Sequence, residues 1–335
     1  MLDNMLNIFP GISMAFIDKT GKTQLEFYGF SNKDQNILVN ENTIFPACSI
    51  SKFITVITLF KLQECKRIDI NSPINKYLCK WKLLSSEGKE SNVTIKEIMS
   101  HTSGILDGDN SFYGHRLHDD EITLLDILEG KTSYNNSVVR VRENLRSKFE
   151  YSDAGYCVLQ LLIEETMNKT FEEVVQEMII NPLKLNNTFY ATSTNLKCRK
   201  KVCNLSVGYD KEKNTIIDKF ISYPDLAGAG LLTTPKELLK IAKEFMFSLK
   251  GESNFLNKES IEEIIKPLIK FPWAGLGIFI KDDLVLMSQG WAENALCMMK
   301  IDIKSNRVSI VMTNRNPGVD QSKSGIESLV DRNLL

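Results

Sequence analysis

Ser49 and Lys52 stand three residues apart in FPACSISKFITVITLFKLQECKR, Phe45 to Arg67, at the mouth of an apolar run with helical period. On a helix, positions i and i+3 are neighbours, so the serine hydroxyl and the lysine amine face the same way. A serine hydroxyl attacks a carbonyl effectively only when a base takes its proton. A lysine is such a base when neutral, and burial against apolar walls lowers an amine's pKa. The helix N-terminus adds positive potential, and the backbone N–H of Ser49 is suited to receive an oxyanion. The spacing alone also describes an N-cap serine followed by a solvated lysine. A second pair at that spacing, Ser86 and Lys89, lies in the polar run SSEGKES with no apolar helix behind it. Placement at the start of a buried helix separates the first pair from the second.

A further candidate lies in FEYSDAGYCVLQLL, where Tyr151 precedes a turn leading into an apolar helix. A tyrosine there either holds its hydroxyl out as a base or proton relay, or packs in the core with its hydroxyl on a carbonyl. Asp153 is correspondingly the helix N-cap or a substrate-facing acceptor. Other chemistries find less support. The nearest approach to a G-x-S-x-G elbow, GISMA from Gly11, ends in alanine. His115 and His118, in GHRLHDD, have no evident third ligand, so no metal is expected. Cys48 would serve as a nucleophile only if it faced Lys52, which helical geometry disfavours.

These residues need elements to hold them. GISMAFID and TQLEFYGF flank a KTGK turn and read as a hairpin, and the first 30 residues read as strands. Residues 50–65 read as a helix, with Ile50, Phe53, Ile54, Ile57 and Phe60 on one face and Val56 and Leu59 on its flanks. Thr94 with Glu97, and Thr170 with Glu173, form capping boxes. Thr234, Pro235 and Glu237 supply N-cap, N1 proline and N3 glutamate for a helix ending at Gly251. The last third returns to strands: GLGIFI, LVLMSQ, ALCMMKID and RVSIVMTN. The expected fold is α+β, an antiparallel sheet built from both chain ends, flanked by helices and carrying a mostly helical insert. Residues 1–70 and 206–335 would form the sheet domain and 71–205 the helical domain, with the active site between them.

FPACSISK, IMSHTSGI, FEYSDAGY, GAGLLTTPKEL and SIVMTN occur in the order seen in serine β-lactamases and penicillin-binding-protein-like hydrolases. The chain resembles that family over about residues 8 to 318, above all class C β-lactamases and their esterase and peptidase relatives. The resemblance implies that Ser49 is the acylated nucleophile and Lys52 its proton partner. Tyr151 matches the tyrosine of the family's Y-x-N motif, with Asp153 where asparagine is usual. HTSG, His101 to Gly104, resembles a structural loop, which makes His101 scaffold rather than base. The third motif, usually Lys-Thr-Gly or His-x-Gly, matches Ser288, Gln289 and Gly290, and the N–H of Trp291 would be the second oxyanion donor. Ser288 is neutral where the family has a cation, so a substrate carboxylate loses a charge-assisted bond. Arg315, in MTNRNPG, is the candidate to replace that charge. Trp291 and Trp273 are candidates to line an acyl pocket. The implied activity is hydrolysis of a small ester, amide or peptide substrate without cofactor. The alternatives are a β-lactamase or D-amino-acid peptidase proper, or a non-catalytic binding protein on the same fold.

Composition narrows the partners. Among 335 residues, 41 basic and 42 acidic side chains leave a formal net charge of −1, and no basic stripe suggests nucleic acid. No apolar run approaches the ~20 residues that span a bilayer, and no export leader is visible at the N-terminus, so a cytoplasmic protein is expected, or an exported one whose signal is missing from this sequence. Seven scattered cysteines fit reduced thiols better than a disulfide framework.

Overall fold

The computed structural model describes residues 2–113, 122–190, 204–216, 223–281 and 284–334. Both chain ends contribute to one antiparallel sheet. From the N-terminal part come β1 (Gly11–Ile17), β2 (Thr23–Asn32) and β3 (Ile37–Leu38). A smaller sheet joins β4 (Phe45–Pro46), β5 (Phe189–Tyr190) and β6 (Leu231–Thr233) in the order β4-β6-β5. From the C-terminal part come β7 (Phe279–Lys281), β8 (Val285–Ala292), β9 (Ala295–Asp302) and β10 (Arg307–Thr313), and the large sheet runs β3-β2-β1-β10-β9-β8-β7. The two ends meet where β1 pairs with β10, Ile12 opposite Thr313 through Phe16 opposite Ser309.

Helices cover both faces of this sheet. On the inner face lie α2 (Ile50–Glu64), which packs against β8 and β9, and α8 (Pro235–Leu249), which packs against β1 and β10. On the outer face, α1 (Leu2–Ile8) and α11 (Ile326–Arg332) pack around Phe9, Ile12, Leu296, Met298 and Val311. Coverage of both faces explains why ALCMMKID lacks the polar alternation of a half-solvated strand: Ala295 to Ile301 are all buried. Lys300, within that run, reaches Glu327 (2.8 Å) and Asp331 (2.6 Å) on α11. Between β4 and β5 the chain also forms α3 (Ile95–Met99), α4 (Leu124–Leu128), α5 (Asp153–Met167) and α6 (Phe171–Val175). After β5 come α7 (Leu226–Ala229), α9 (Lys258–Ile264) and α10 (Gln321–Ser324).

Two expectations from the sequence are corrected here. Residues 2–8 are helix rather than strand; Met5 and Ile8 pack against the outer-face cluster. Of GLGIFI, only Phe279 and Ile280 enter a strand. Gly277 there has a φ of 64°, and a Cβ on it would lie 2.6 Å from Val56 Cγ2, so that segment lets α2 come close instead of pairing.

The capping signals are realised in the hydrogen bonding. Thr94–Glu97 and Thr170–Glu173 close reciprocal boxes, and Thr234 accepts from the Glu237 N–H with Pro235 in the first turn. The buried Glu237 carboxyl also accepts from Asn186 N (2.7 Å), Asn187 N (3.0 Å) and Thr188 Oγ1 (2.5 Å), which ties α8 to the entrance of β5. Glu237→Ala strands three donors at once and is expected to lower unfolding stability by about 3 kcal/mol. A urea midpoint unchanged from wild type would show that these bonds contribute nothing net.

Candidate active site

The chain enters α2 through a strained residue. Cys48 has a φ of 49°, in the left-handed region that non-glycine residues seldom occupy. Its thiol is buried and directed at the Pro46 carbonyl (3.7 Å). Ser49 follows with helical angles, φ −64° and ψ −6°, and its side chain makes no capping bond. The N-cap role that the sequence allowed is therefore not taken up, and the hydroxyl is left for Lys52. The Lys52 ammonium, 2% exposed, donates to Ser49 Oγ (3.2 Å), Asp153 Oδ1 (2.5 Å) and the Gly228 carbonyl (3.0 Å). Ser86 and Lys89 make no such cluster: Ser86 Oγ donates to the Val141 carbonyl and Lys89 pairs with Glu87 on the surface.

Electrostatics correct the expected neutral lysine. Burial does penalise the Lys52 charge, but Asp153 and then Tyr151 outweigh it and hold the ammonium well above its ordinary value. Lys52 is thus charged at rest, with Asp153 as counter-ion. Tyr151 presents its ring 4.9 Å from the Lys52 nitrogen, and its hydroxyl interacts with both Lys52 and Ser49. The residue is 39% exposed, yet its phenol is raised because the hydroxyl end is desolvated, an effect that Lys52 only partly offsets. Of the two environments the sequence left open for Tyr151, this is the outward one.

His101 holds that tyrosine. Its ring stacks on Tyr151 at 4.4 Å, and its Nδ1 accepts from the Ser152 N–H (3.1 Å). Burial, and then the nearby Lys52, push its pKa down to about 3, so it is neutral in the fold. Asp107 works from the same side. It accepts from Ser152 Oγ (3.0 Å), Asp153 N (3.0 Å) and Ala154 N (2.9 Å) at the head of α5. Ser152, not Asp153, is the N-cap, its Oγ accepting from the Gly155 N–H. Those two side chains satisfy the helix end and leave Asp153 free to pair with Lys52.

Asp107 and Asp225 are site residues that the sequence did not single out. Asp225 is fully buried before α7, and its Oδ1 accepts from Tyr134 (2.5 Å). Its Oδ2 has no hydrogen-bond partner among the described residues. Burial, then the charge of Asp153, push this carboxyl up to about 8. A visible signal was an aspartate directly before the small-residue run LAGAG, whose carbonyls at Ala227 and Gly228 are bonded by Thr55 and Lys52 of α2.

The β8 side completes the cleft. Pairing of β7 with β8 ends at Met287, so Ser288 to Ala292 run past β7. Ser288 and Gln289 face the crevice that holds Ser49, Lys52 and Tyr151. A Cβ on Gly290 would lie 2.5 Å from the Ala47 carbonyl oxygen and 2.8 Å from Cys48 Cβ, so glycine is needed for β8 to approach the residues before Ser49. Trp291 is 48% exposed and lines the wider cleft, of about 800 Å³, together with Ser49, Asp153 and Asp225. Arg315 is not brought there. Its guanidinium is spent on the carbonyls of Ile8, Asp210 and Lys211, which removes it as the replacement cation. Trp273 packs edge-on to Phe149 at 4.5 Å, and it is Phe149 that reaches the crevice. His115, His118, Cys198 and Cys203 lie outside the described residues. The other five cysteines form no disulfide among the described residues. Among the described residues, no cluster of potential metal ligands occurs and no helix is long and apolar enough to cross a membrane.

A serine and lysine one turn apart at the head of a buried helix, a tyrosine over both, and a sheet strand closing the far side define the serine β-lactamase and penicillin-binding-protein-like class. The sequence profile of the Beta-lactamase family matches residues 5–330, and the chain belongs to that family. It is 23% identical over 322 residues to Protein flp of Staphylococcus aureus strain MW2, covering 92% of this chain and 60% of that protein. The match to the teichoic acid D-alanine hydrolase of Staphylococcus aureus is 27% over 238 residues, 70% of this chain and 54% of that one. The chain therefore spans little more than half the length of these relatives. Among solved structures it is similar to the D-amino acid amidase of Ochrobactrum anthropi SV3, at TM-score 0.80 and 19% identity over 99% of this chain and 94% of that one. It is likewise similar to the octameric penicillin-binding protein homologue from Pyrococcus abyssi, at TM-score 0.78 and 21% identity over 98% and 75%. These likenesses establish the fold.

His101 gives a test by pH. Its folded pKa lies below the unfolded value of about 6.5, so below that pH the unfolded chain binds the extra proton and stability falls. Between about pH 6.5 and 3, wild type should lose several kcal/mol more than His101→Asn, a residue that tolerates the left-handed φ of 58° and can still accept from Ser152. Equal acid slopes in urea titrations of the two proteins would refute a buried neutral imidazole.

Proposed function

We propose that the protein is a serine hydrolase that cleaves an ester or amide through an acyl-enzyme on Ser49. The observation that carries this is the Lys52 nitrogen 3.2 Å from Ser49 Oγ, with the Tyr151 hydroxyl beside both. Ser49 Oγ attacks the acyl carbonyl and its proton passes into the Lys52–Tyr151 pair. Because Lys52 is charged at rest, the pair accepts that proton only after losing one of its own. The N–H groups of Ser49 and Trp291 receive the developing oxyanion. The pair then protonates the leaving alcohol or amine as the carbonyl–leaving-group bond breaks. Water releases the acyl group by the same steps in reverse.

The substrate is one without an obligatory carboxylate. Ser288 offers a neutral hydroxyl where the family pattern has a cation, and Arg315 is committed elsewhere. Two proteins to which the chain is similar, a teichoic acid D-alanine hydrolase and a D-amino acid amidase, are hydrolytic enzymes by name and agree with this reading.

A fluorophosphonate should label wild type at Ser49, and Ser49→Ala should abolish both labelling and turnover of p-nitrophenyl esters. Ser86→Ala should leave both intact, since its lysine faces solvent. Tyr151→Phe should lower kcat/KM by at least ~10²-fold, the low end for a lost proton-transfer group. Full activity in Ser49→Ala would end the acyl-enzyme mechanism, and an unlabelled, inert wild type would favour a binding protein on this fold.

A further inference from the structure

The ionisable groups around Ser49 are mostly carboxyls. Lys52 is the one cation among the described residues lining the reaction crevice. Asp153 contacts it, and Asp107 and Asp225 lie close behind. In the wider cleft the other described cation, Lys281, pairs with Glu327. An incoming carboxylate thus meets no unpaired cation among the described lining residues.

The two departures from the family pattern point in one direction. Ser288 removes a positive charge and Asp153 adds a negative one, and both line the space around Ser49. Gly228 lies between two of these acids, Asp153 and Asp225. It is a helical residue of α7, so its lack of a side chain does not serve a left-handed turn. A Cβ there would lie 2.3 Å from Asp225 Oδ2 and 3.3 Å from Asp153 Oδ1. The glycine lets both carboxyl groups come close to its backbone, and at the wall of the wider cleft Asp225 Oδ2 is buried without a hydrogen-bond partner among the described residues. Around the mouth, Tyr113 (54% exposed), Trp291 (48%) and Tyr151 (39%) present aromatic rings, whose faces attract cations.

We propose that the acyl group accepted at Ser49 carries a primary ammonium, received by Asp153 and Asp225 on either side of Gly228. The inference rests on the acyl-enzyme reading above. An ammonium is a compact charge with three donors, enough to bond both carboxylates. Burial holds the Asp225 carboxyl up to about 8, so it keeps a proton near neutrality; the arriving ammonium replaces that proton as the positive partner. A neutral acyl chain of the same size leaves Asp225 Oδ2 unpaired, and an anionic one faces two acids.

The test compares D- and L-alanine methyl esters with methyl propionate and monomethyl succinate, by pH-stat at about pH 6.5, where an α-amino group is mostly charged. One alanine ester should exceed methyl propionate at least ~10-fold in kcat/KM, with the succinate ester poorest. Asp225→Asn, which keeps the shape and the Tyr134 contact, should bring the alanine-to-propionate ratio close to ~1. In wild type, ethylammonium chloride should compete with methyl propionate, an arm that needs no variant to fold. A propionate ester turned over as well as alanine, absence of competition by ethylammonium, or an unchanged ratio in Asp225→Asn would overturn the proposal while leaving the hydrolase reading standing. No turnover of any ester, with Ser49 unlabelled by fluorophosphonate, would overturn both.

Discussion

The Lys52 ammonium is bonded at once to Ser49 at the head of its own helix, to Asp153 at the head of α5 and to the Gly228 carbonyl in α7. Those three elements come from distant parts of the chain, and one desolvated charge holds their ends together. Taking such a charge out of water costs several kcal/mol, which only close geometry and further hydrogen bonds offset. The surroundings supply both. Asp107 and Ser152 satisfy the N-terminus of α5, so Asp153 can point at the lysine instead of capping its own helix. Thr55 bonds the Ala227 carbonyl and Ser51 receives the Leu231 N–H, fixing α7 and β6 against α2. Losing one partner would leave a buried charge uncompensated, so the site and the stability of this junction are one problem.

The sheet supplies the opposite wall. Strand β9 is buried on both faces, between α2 within and α11 without, and positions β8 along its whole length. The close approach at Gly290 then sets Trp291 across from the strained entry to Ser49. A chain end seemingly remote from chemistry, the Lys300 pairs to Glu327 and Asp331, thereby helps hold the site.

Much of this was legible in the sequence. Helix α2 with its serine and lysine, both capping boxes and the Thr234-Pro235-Glu237 start follow from periodicity and local hydrogen bonding, which a short stretch encodes by itself, whereas the shared sheet was read from strand patterns at both ends of the chain. The N-terminal helix was not legible, because a seven-residue segment is set by its packing on the sheet. The charge state of Lys52 was not legible either. Burial, the visible effect, favours the neutral amine, whereas the charge that opposes it most strongly belongs to Asp153, 101 positions away. Tyr134 carries no local pattern, and at Asp225 the one local signal is its place before LAGAG, which does not reveal the distant tyrosine that it meets. Arg315 misled because a position just after the last strand says nothing of where a long side chain ends.

The central claim is that a lysine charged by Asp153 must surrender a proton from its cluster before Ser49 can attack. The pH dependence of the second-order rate of Ser49 labelling by a fluorophosphonate tests it most directly. Wild type should react faster with rising pH, without a plateau up to about pH 9, because the Lys52 and Tyr151 protons are both held above their ordinary values. Asp153→Asn removes the negative charge that does most to keep Lys52 protonated, so its rising limb should move to lower pH. A rate independent of pH in this range, or a limb that stays in place in Asp153→Asn, would contradict the account.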